Sequence, residues 1–214
     1  MTQDRIVAEV LRRHGETFAE RAGIRLADKP SPLYRLLVLA TLLSARITAE
    51  IAVAAARELS AAGYTTPEAM RDATWQRRVD ALGRGHYRRY DERTATMLGD
   101  AAVHCVQRWR GDLRRLHAEA PGDARVLSRL VREFKGIGPT GAAIFLREVQ
   151  GVWPDIAPYA DERVAAGARR LGLPPEPAAL ARLVSAPDLP RFAAALVVLG
   201  RDEKAAEALR GAAD

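Results

Sequence analysis

Apolar residues recur at helical spacing along almost the whole of this 214-residue chain, and that regularity decides what it can fold into. Ile6, Val7, Val10 and Leu11 mark one stripe. Leu33, Leu36, Leu37, Leu39, Ala40 and Leu43 mark a second, and Ile51, Ala54, Ala55 and Leu59 a third. No alternating run marks a strand. Helix starts are read at Thr2, Ser31-Pro32, Thr66-Pro67, Thr74 and Asp123, and stops at Gly15, Gly63, Gly83, Gly111, Gly151 and Gly172. The pattern predicts an all-α protein of about a dozen short to medium helices joined by short connections. With 48% hydrophobic residues, the chain buries a full core as one body or two small lobes. No apolar run reaches bilayer length, and the candidate Leu36 to Leu43 is interrupted by Thr41; the N-terminus is amphipathic rather than signal-like. A soluble, cytoplasmic protein is expected.

Within this helical frame one segment carries chemistry. Phe134-Lys135-Gly136-Ile137-Gly138-Pro139-Thr140-Gly141-Ala142-Ala143 opens an apolar helix and is followed by a Pro-rich turn and Asp161. Two glycines around Ile137 permit a tight turn, and Pro139 sits where the first turn of a helix needs no donor. Backbone amides then converge on one point, an anion site suited to a DNA phosphate. The alternative is an ordinary helix-helix turn. With 33 basic against 27 acidic residues and a net charge of +6, the composition suits a polyanionic partner.

Other residues extend the candidate surface. Residues 33–62 are expected to form two central helices meeting at Ser44-Ala45-Arg46-Ile47-Thr48, where an arginine is costly unless the joint reaches water or a ligand. The segment 77–93 reads RRVDALGRGHYRRYDER, a basic loop loosened by Gly83 and Gly85. Its Tyr87 and Tyr90 either lie against bases and sugars beside Arg88 or fill the core. Cys105 is the only cysteine, which excludes an internal disulfide, a cysteine zinc site and a cysteine-ligated iron–sulfur cluster. Only Lys29, Lys135 and Lys204 supply amines for covalent chemistry. The four histidines show no metal-ligand spacing, and no metal is expected.

Three segments together resemble the helix-hairpin-helix DNA glycosylases of the endonuclease III group. Leu42-Leu43-Ser44-Ala45-Arg46 is similar to the family's Leu-Leu-Ser-Ala-Gln, Gly136 to Ala142 is similar to its hairpin, and Ala160-Asp161 through Leu173 is similar to the helix that begins with its catalytic aspartate. The resemblance implies a two-lobed fold: a six-helix barrel over residues 30–153 with the hairpin at 124–150, and a second lobe from 1–29 and 154–214. It further implies double-stranded DNA as partner, a flipped-out nucleotide presented to Asp161, and a monomer associated with the nucleoid. Gly136, Ile137, Gly138, Thr140, Gly141 and Lys135 are then the DNA-backbone contacts and Arg46 the duplex wedge. Ser44, Tyr87, Arg88, Tyr90 and Tyr159 are the candidate pocket or DNA contacts.

Departures from the family shape the expected chemistry. Members that also cleave the backbone carry a lysine where this chain has Thr140. A hydroxyl cannot form an imine, so a monofunctional glycosylase of base excision repair is expected. Lys135 remains the one nearby amine and should point at phosphate. Arg46 stands in place of glutamine, keeping donors and losing an acceptor. No cysteine follows Cys105, so no iron–sulfur cluster is expected, and a monovalent cation at the hairpin is the one cofactor left open. Asp161 is also explicable as a helix N-cap, with Asp155 as competing acid. An AP lyase and a non-catalytic lesion sensor are the alternative functions.

Overall fold

The computed structural model describes residues 3–211, and these are all-α, with no strand among them. The helices are α1 (Gln3–His14), α2 (Phe18–Arg21), α3 (Pro30–Leu43), α4 (Ala49–Ala61), α5 (Pro67–Asp72), α6 (Trp75–Arg84) and α7 (Asp91–Trp109). They continue with α8 (Leu113–Ala118), α9 (Ala124–Val131), α10 (Pro139–Val149), α11 (Glu162–Arg170), α12 (Pro177–Ala181), α13 (Leu189–Leu199) and α14 (Glu203–Gly211). No described helix is long and apolar enough to cross a membrane.

Residue contacts divide the chain into a central unit, Phe18–Leu146, and a terminal unit made of residues up to Thr17 together with Arg147 onward. Both boundaries differ from those drawn at 30 and 153. Residues 18–29 join the central unit because α2 packs on α3 and the Arg35 guanidinium donates to the Gly23 carbonyl. On the other side, residues 147–153 join the terminal unit.

The central unit is built around α3, whose Leu33, Tyr34, Leu36, Leu37, Leu39 and Leu42 are nearly inaccessible. A helix apolar over most of its surface must lie in an interior. Around it, α4 packs on α3 and α6, while α5 and α6 pack on α7. Arg78 of α6 is buried and ties three helices together through their carbonyls: Nε donates to Ala95 and Nη1 to Met70 and Ala73. Burial lowers its pKa, and the hydrogen bonds compensate the desolvated charge.

In the terminal unit, Val7 and Val10 of α1 join Val164 and Ala168 of α11 and Phe192, Leu196 and Leu199 of α13 in one cluster. The α11–α13 contact is close because a Cβ at Gly167 would overlap the Leu196 carbonyl oxygen.

Local punctuation accounts for several helix starts. Thr66, Thr74 and Asp123 cap α5, α6 and α9 with side-chain oxygens, and Thr48 does the same for α4. Thr2 lies outside the described residues. Gly83 does not stop a helix: α6 runs through it, and Gly85 ends it where a Cβ would overlap the Ala55 backbone. One glycine inside a helix costs only about 1 kcal/mol, which the burial of Ala81 and Leu82 offsets.

Candidate functional site

In the central unit, the joint between α3 and α4 is open to water, and Arg46 is exposed there. The joint borders a cavity of about 390 Å³ lined by Ser44, Arg46, Tyr87, Tyr90, Arg93, Met97 and Gly136, with Thr41 and Thr94 also contributing. Five sequence candidates thus meet around one space: Ser44, Arg46, Tyr87, Tyr90 and Gly136. Arg93, the last arginine of the basic 77–93 segment, joins them, and Met97 was not anticipated; both sit on the first two turns of α7. Arg88 is exposed and stays outside the lining.

The two tyrosines differ in environment. Tyr87 is buried and its hydroxyl pairs with Thr94 Oγ1 at 3.2 Å; burial raises its pKa, opposed by that hydrogen bond. Tyr90 is half-buried and carries the Arg89 guanidinium over its ring, 5.2 Å from the centroid. Tyr87 is therefore a wall of the cavity, whereas the Tyr90 ring is partly open to solvent. Ser44 Oγ donates to the Ala40 carbonyl at 2.7 Å and packs where a Cβ on Gly141 would stand. That contact binds the α3–α4 joint to the first turn of α10.

The hairpin closes differently from the sequence expectation. Gly136 has φ +94°, a conformation that favours glycine, and a Cβ there would press on Met97 and Thr41. Gly138 has neither constraint, since its Cβ direction is open space. Ile137 is buried, and its amide donates to the Phe134 carbonyl at 3.0 Å, so it closes the turn rather than offering an outward N–H. Ala142 N–H already donates to the Gly138 carbonyl. Thr140 and Gly141 lie on the first turn of α10. Lys135 is exposed, and its ammonium pairs with Asp100 at 2.7 Å.

In the terminal unit, Asp161 is the N-cap of α11: Oδ1 accepts from the Val164 amide at 3.2 Å. Its Oδ2 accepts from Arg147 Nη1 at 2.5 Å. The guanidinium side chain is 6% exposed and the carboxylate 18%, so the acid is the more accessible end of the pair. Burial lowers the Arg147 pKa, while Asp161 opposes that shift. Guanidinium stays charged even so. Burial, followed by the Asp161 charge, raises the Tyr159 phenol. The backbone of Tyr159 is held from both sides by Gln150, whose Oε1 accepts from its N–H and whose Nε2 donates to its carbonyl.

Sequence reading placed Asp161 and Tyr159 at this site but missed Arg147 and Gln150. Glu162 is exposed and paired with Arg169, which lowers its pKa. Asp155, the competing acid, is exposed on the 3-10 turn Pro154–Ile156. No group of His, Cys, Asp and Glu among the described residues is arranged to hold a metal ion.

No family model and no curated protein matches the sequence. Among solved structures, the chain is similar to one described as a trapped endonuclease III–DNA covalent intermediate in an estranged-adenine complex. The identity is 16%, the match covers 94% of this chain and 87% of that one, and the TM-score is 0.48. A likeness this distant does not by itself assign an activity.

Proposed function

We propose that this protein is a monofunctional DNA glycosylase of base excision repair, hydrolysing the N-glycosidic bond of a damaged or mismatched base in double-stranded DNA. It acts as a monomer associated with the nucleoid and carries no iron–sulfur cluster. The observation that carries the proposal is Asp161, a fixed and partly accessible carboxylate at a helix N-terminus, in a chain that also carries a glycine hairpin and a basic, tyrosine-bearing cavity.

Cleavage of a glycosidic bond develops positive charge on the sugar. A preorganised carboxylate stabilises that charge and orients or deprotonates the attacking water. Thr140 in place of a lysine offers no imine-forming amine, and the exposed Lys135 ammonium, paired with Asp100, is read as a phosphate contact. The hairpin amides, the open side of Gly138 and the cavity arginines suit phosphate. Carbonyl oxygens of the turn keep a second lone pair that suits a monovalent cation, and no catalytic step requires one.

One observation favours a second reading. Asp161 is engaged as both cap and ion-pair partner, so a structural role alone explains its presence, as in a lesion-binding module without catalysis.

The test is a panel of duplexes bearing uracil, alkylated purines, oxidised bases, mismatches and an abasic site, incubated with wild type and Asp161→Asn. Strand breaks that appear only after alkali and vanish in the variant are the expected result. Breaks without alkali, with a borohydride-trapped adduct, would instead show a lyase. Tight binding without cleavage of any duplex would establish the binding module.

A further inference from the structure

We propose that Arg147 is a positioning residue for Asp161, fixing the carboxylate with its acidic end outward while Gln150 fixes the backbone that carries it. This rests on the glycosylase reading and adds to it the residues that set the geometry of the reaction.

Residues 157–161 have no helical or strand structure, so their backbone groups need partners from elsewhere. Gln150 supplies two of them. Its Oε1 accepts from Tyr159 N at 2.9 Å, and its Nε2 donates to the Tyr159 carbonyl at 3.2 Å and to the Arg147 carbonyl at 2.9 Å. One side-chain amide thus does for Tyr159 what a neighbouring strand would do.

Arg147 is three residues earlier, one turn away at the end of α10, and its guanidinium takes Oδ2 of Asp161 while the Val164 amide takes Oδ1. The carboxylate is therefore held at both oxygens, in one rotamer. Each oxygen retains a lone pair for a water or a developing sugar cation.

A cap alone does not require this arrangement. Asp123 caps α9 from an exposed position with no buried cation behind it. At Asp161 the chain instead buries an arginine and a glutamine, 5% and 3% exposed, a placement that is costly unless their partners are fixed. The more buried guanidinium lies behind the more accessible carboxylate, so an approaching sugar meets negative charge first. Arg147 acts through Asp161 and is not itself a catalytic residue.

The experiment compares single-turnover excision by wild type, Arg147→Met, Arg147→Lys and Gln150→Leu on whichever panel duplex the wild type processes. Affinity is measured in parallel on the same duplex with a 2′-fluorinated sugar that resists cleavage, and folding by thermal melting. Arg147→Met is expected to lower the excision rate by roughly 10- to 100-fold, the scale of a 1 Å misplacement, with affinity nearly unchanged. Arg147→Lys should recover part of the rate, since one charged donor remains.

A wild-type rate in folded Arg147→Met overturns the proposal, as does a loss of rate matched by an equal loss of affinity. If Arg147→Met does not fold, the other two variants decide: full rate in both while folded also overturns it. Excision by wild type alongside undiminished variants removes only this inference. Absence of excision from every duplex by wild type removes the glycosylase reading and this inference with it.

Discussion

The two candidate sites are built on opposite plans. At the central site, charges stand in water: Arg46 is exposed at the cavity rim, and Lys135 meets Asp100 with both side chains largely accessible. At the terminal site the cation is interior, with buried Arg147 and partly accessible Asp161 joined at 2.5 Å and the flanking backbone clamped by Gln150. Exposed pairs contribute little to stability and exchange partners easily, which fits the phosphate contact proposed for this surface. Buried pairs are costly to break and hold one geometry, which suits a carboxylate whose position sets a rate.

The largest expected effect breaks the buried pair. Asp161→Asn keeps an N-cap oxygen for α11 but leaves Arg147 without its counter-charge, and should destabilise the terminal unit by about 3 kcal/mol. Adding Arg147→Met to Asp161→Asn should recover at least half of that loss, because no uncompensated charge then remains. Urea unfolding of the single and double variants measures both. Equal stabilities for wild type and Asp161→Asn would show that the pair is not the constraint described here. The same measurement guards the activity panel, since a variant that loses both charge and fold says nothing about chemistry.

The sequence makes the first site more legible than the second. Helical periodicity alone specifies an all-α chain, and the hairpin is a contiguous string whose turn glycine and first-turn proline can be read off directly. Asp161 is visible as an acid at a helix start. Arg147 and Gln150 were missed because polar residues near a helix end read as a solvent face. The signal was nonetheless present: Ile144, Phe145 and Leu146 show α10 to be apolar around a full turn, so polar residues directly after them lie in the interior. Pairing of Arg147 with Asp161 and Gln150 with Tyr159 is a tertiary fact with no local spacing rule. Gly83 and Gly85 show the same limit, since only packing against Ala55 distinguishes the glycine that ends α6 from the one inside it.

A smaller effect separates the two hairpin glycines. Gly136→Ala places a side chain at φ +94° against Met97 and Thr41, and should cost about 1–2 kcal/mol in thermal or urea unfolding. Gly138→Ala meets nothing within the protein, so its unfolding should match wild type to within roughly 0.5 kcal/mol. If the open side of Gly138 is where a phosphate strand approaches, this stable variant should bind duplex DNA several-fold more weakly, on the order of 1 kcal/mol. Unchanged affinity would remove Gly138 from the interface while leaving Gly136 as a folding requirement.

The smallest effect on folding, and the sharpest contrast with Arg147, is expected at Asp100. Its pair with Lys135 is exposed on both sides, so Asp100→Asn should leave the unfolding midpoint unchanged. Binding should move the other way. In the free protein Asp100 neutralises Lys135, and a DNA phosphate must compete for that ammonium. Removing the carboxylate therefore frees a cation beside the hairpin, tightening duplex binding by a few-fold and steepening the slope of log affinity against log salt by up to about one unit. A titration of both proteins across a salt series reads both numbers. If affinity and slope stay at wild-type values, Lys135 does not face the DNA backbone, and the central site consists of the hairpin amides and the cavity arginines without it.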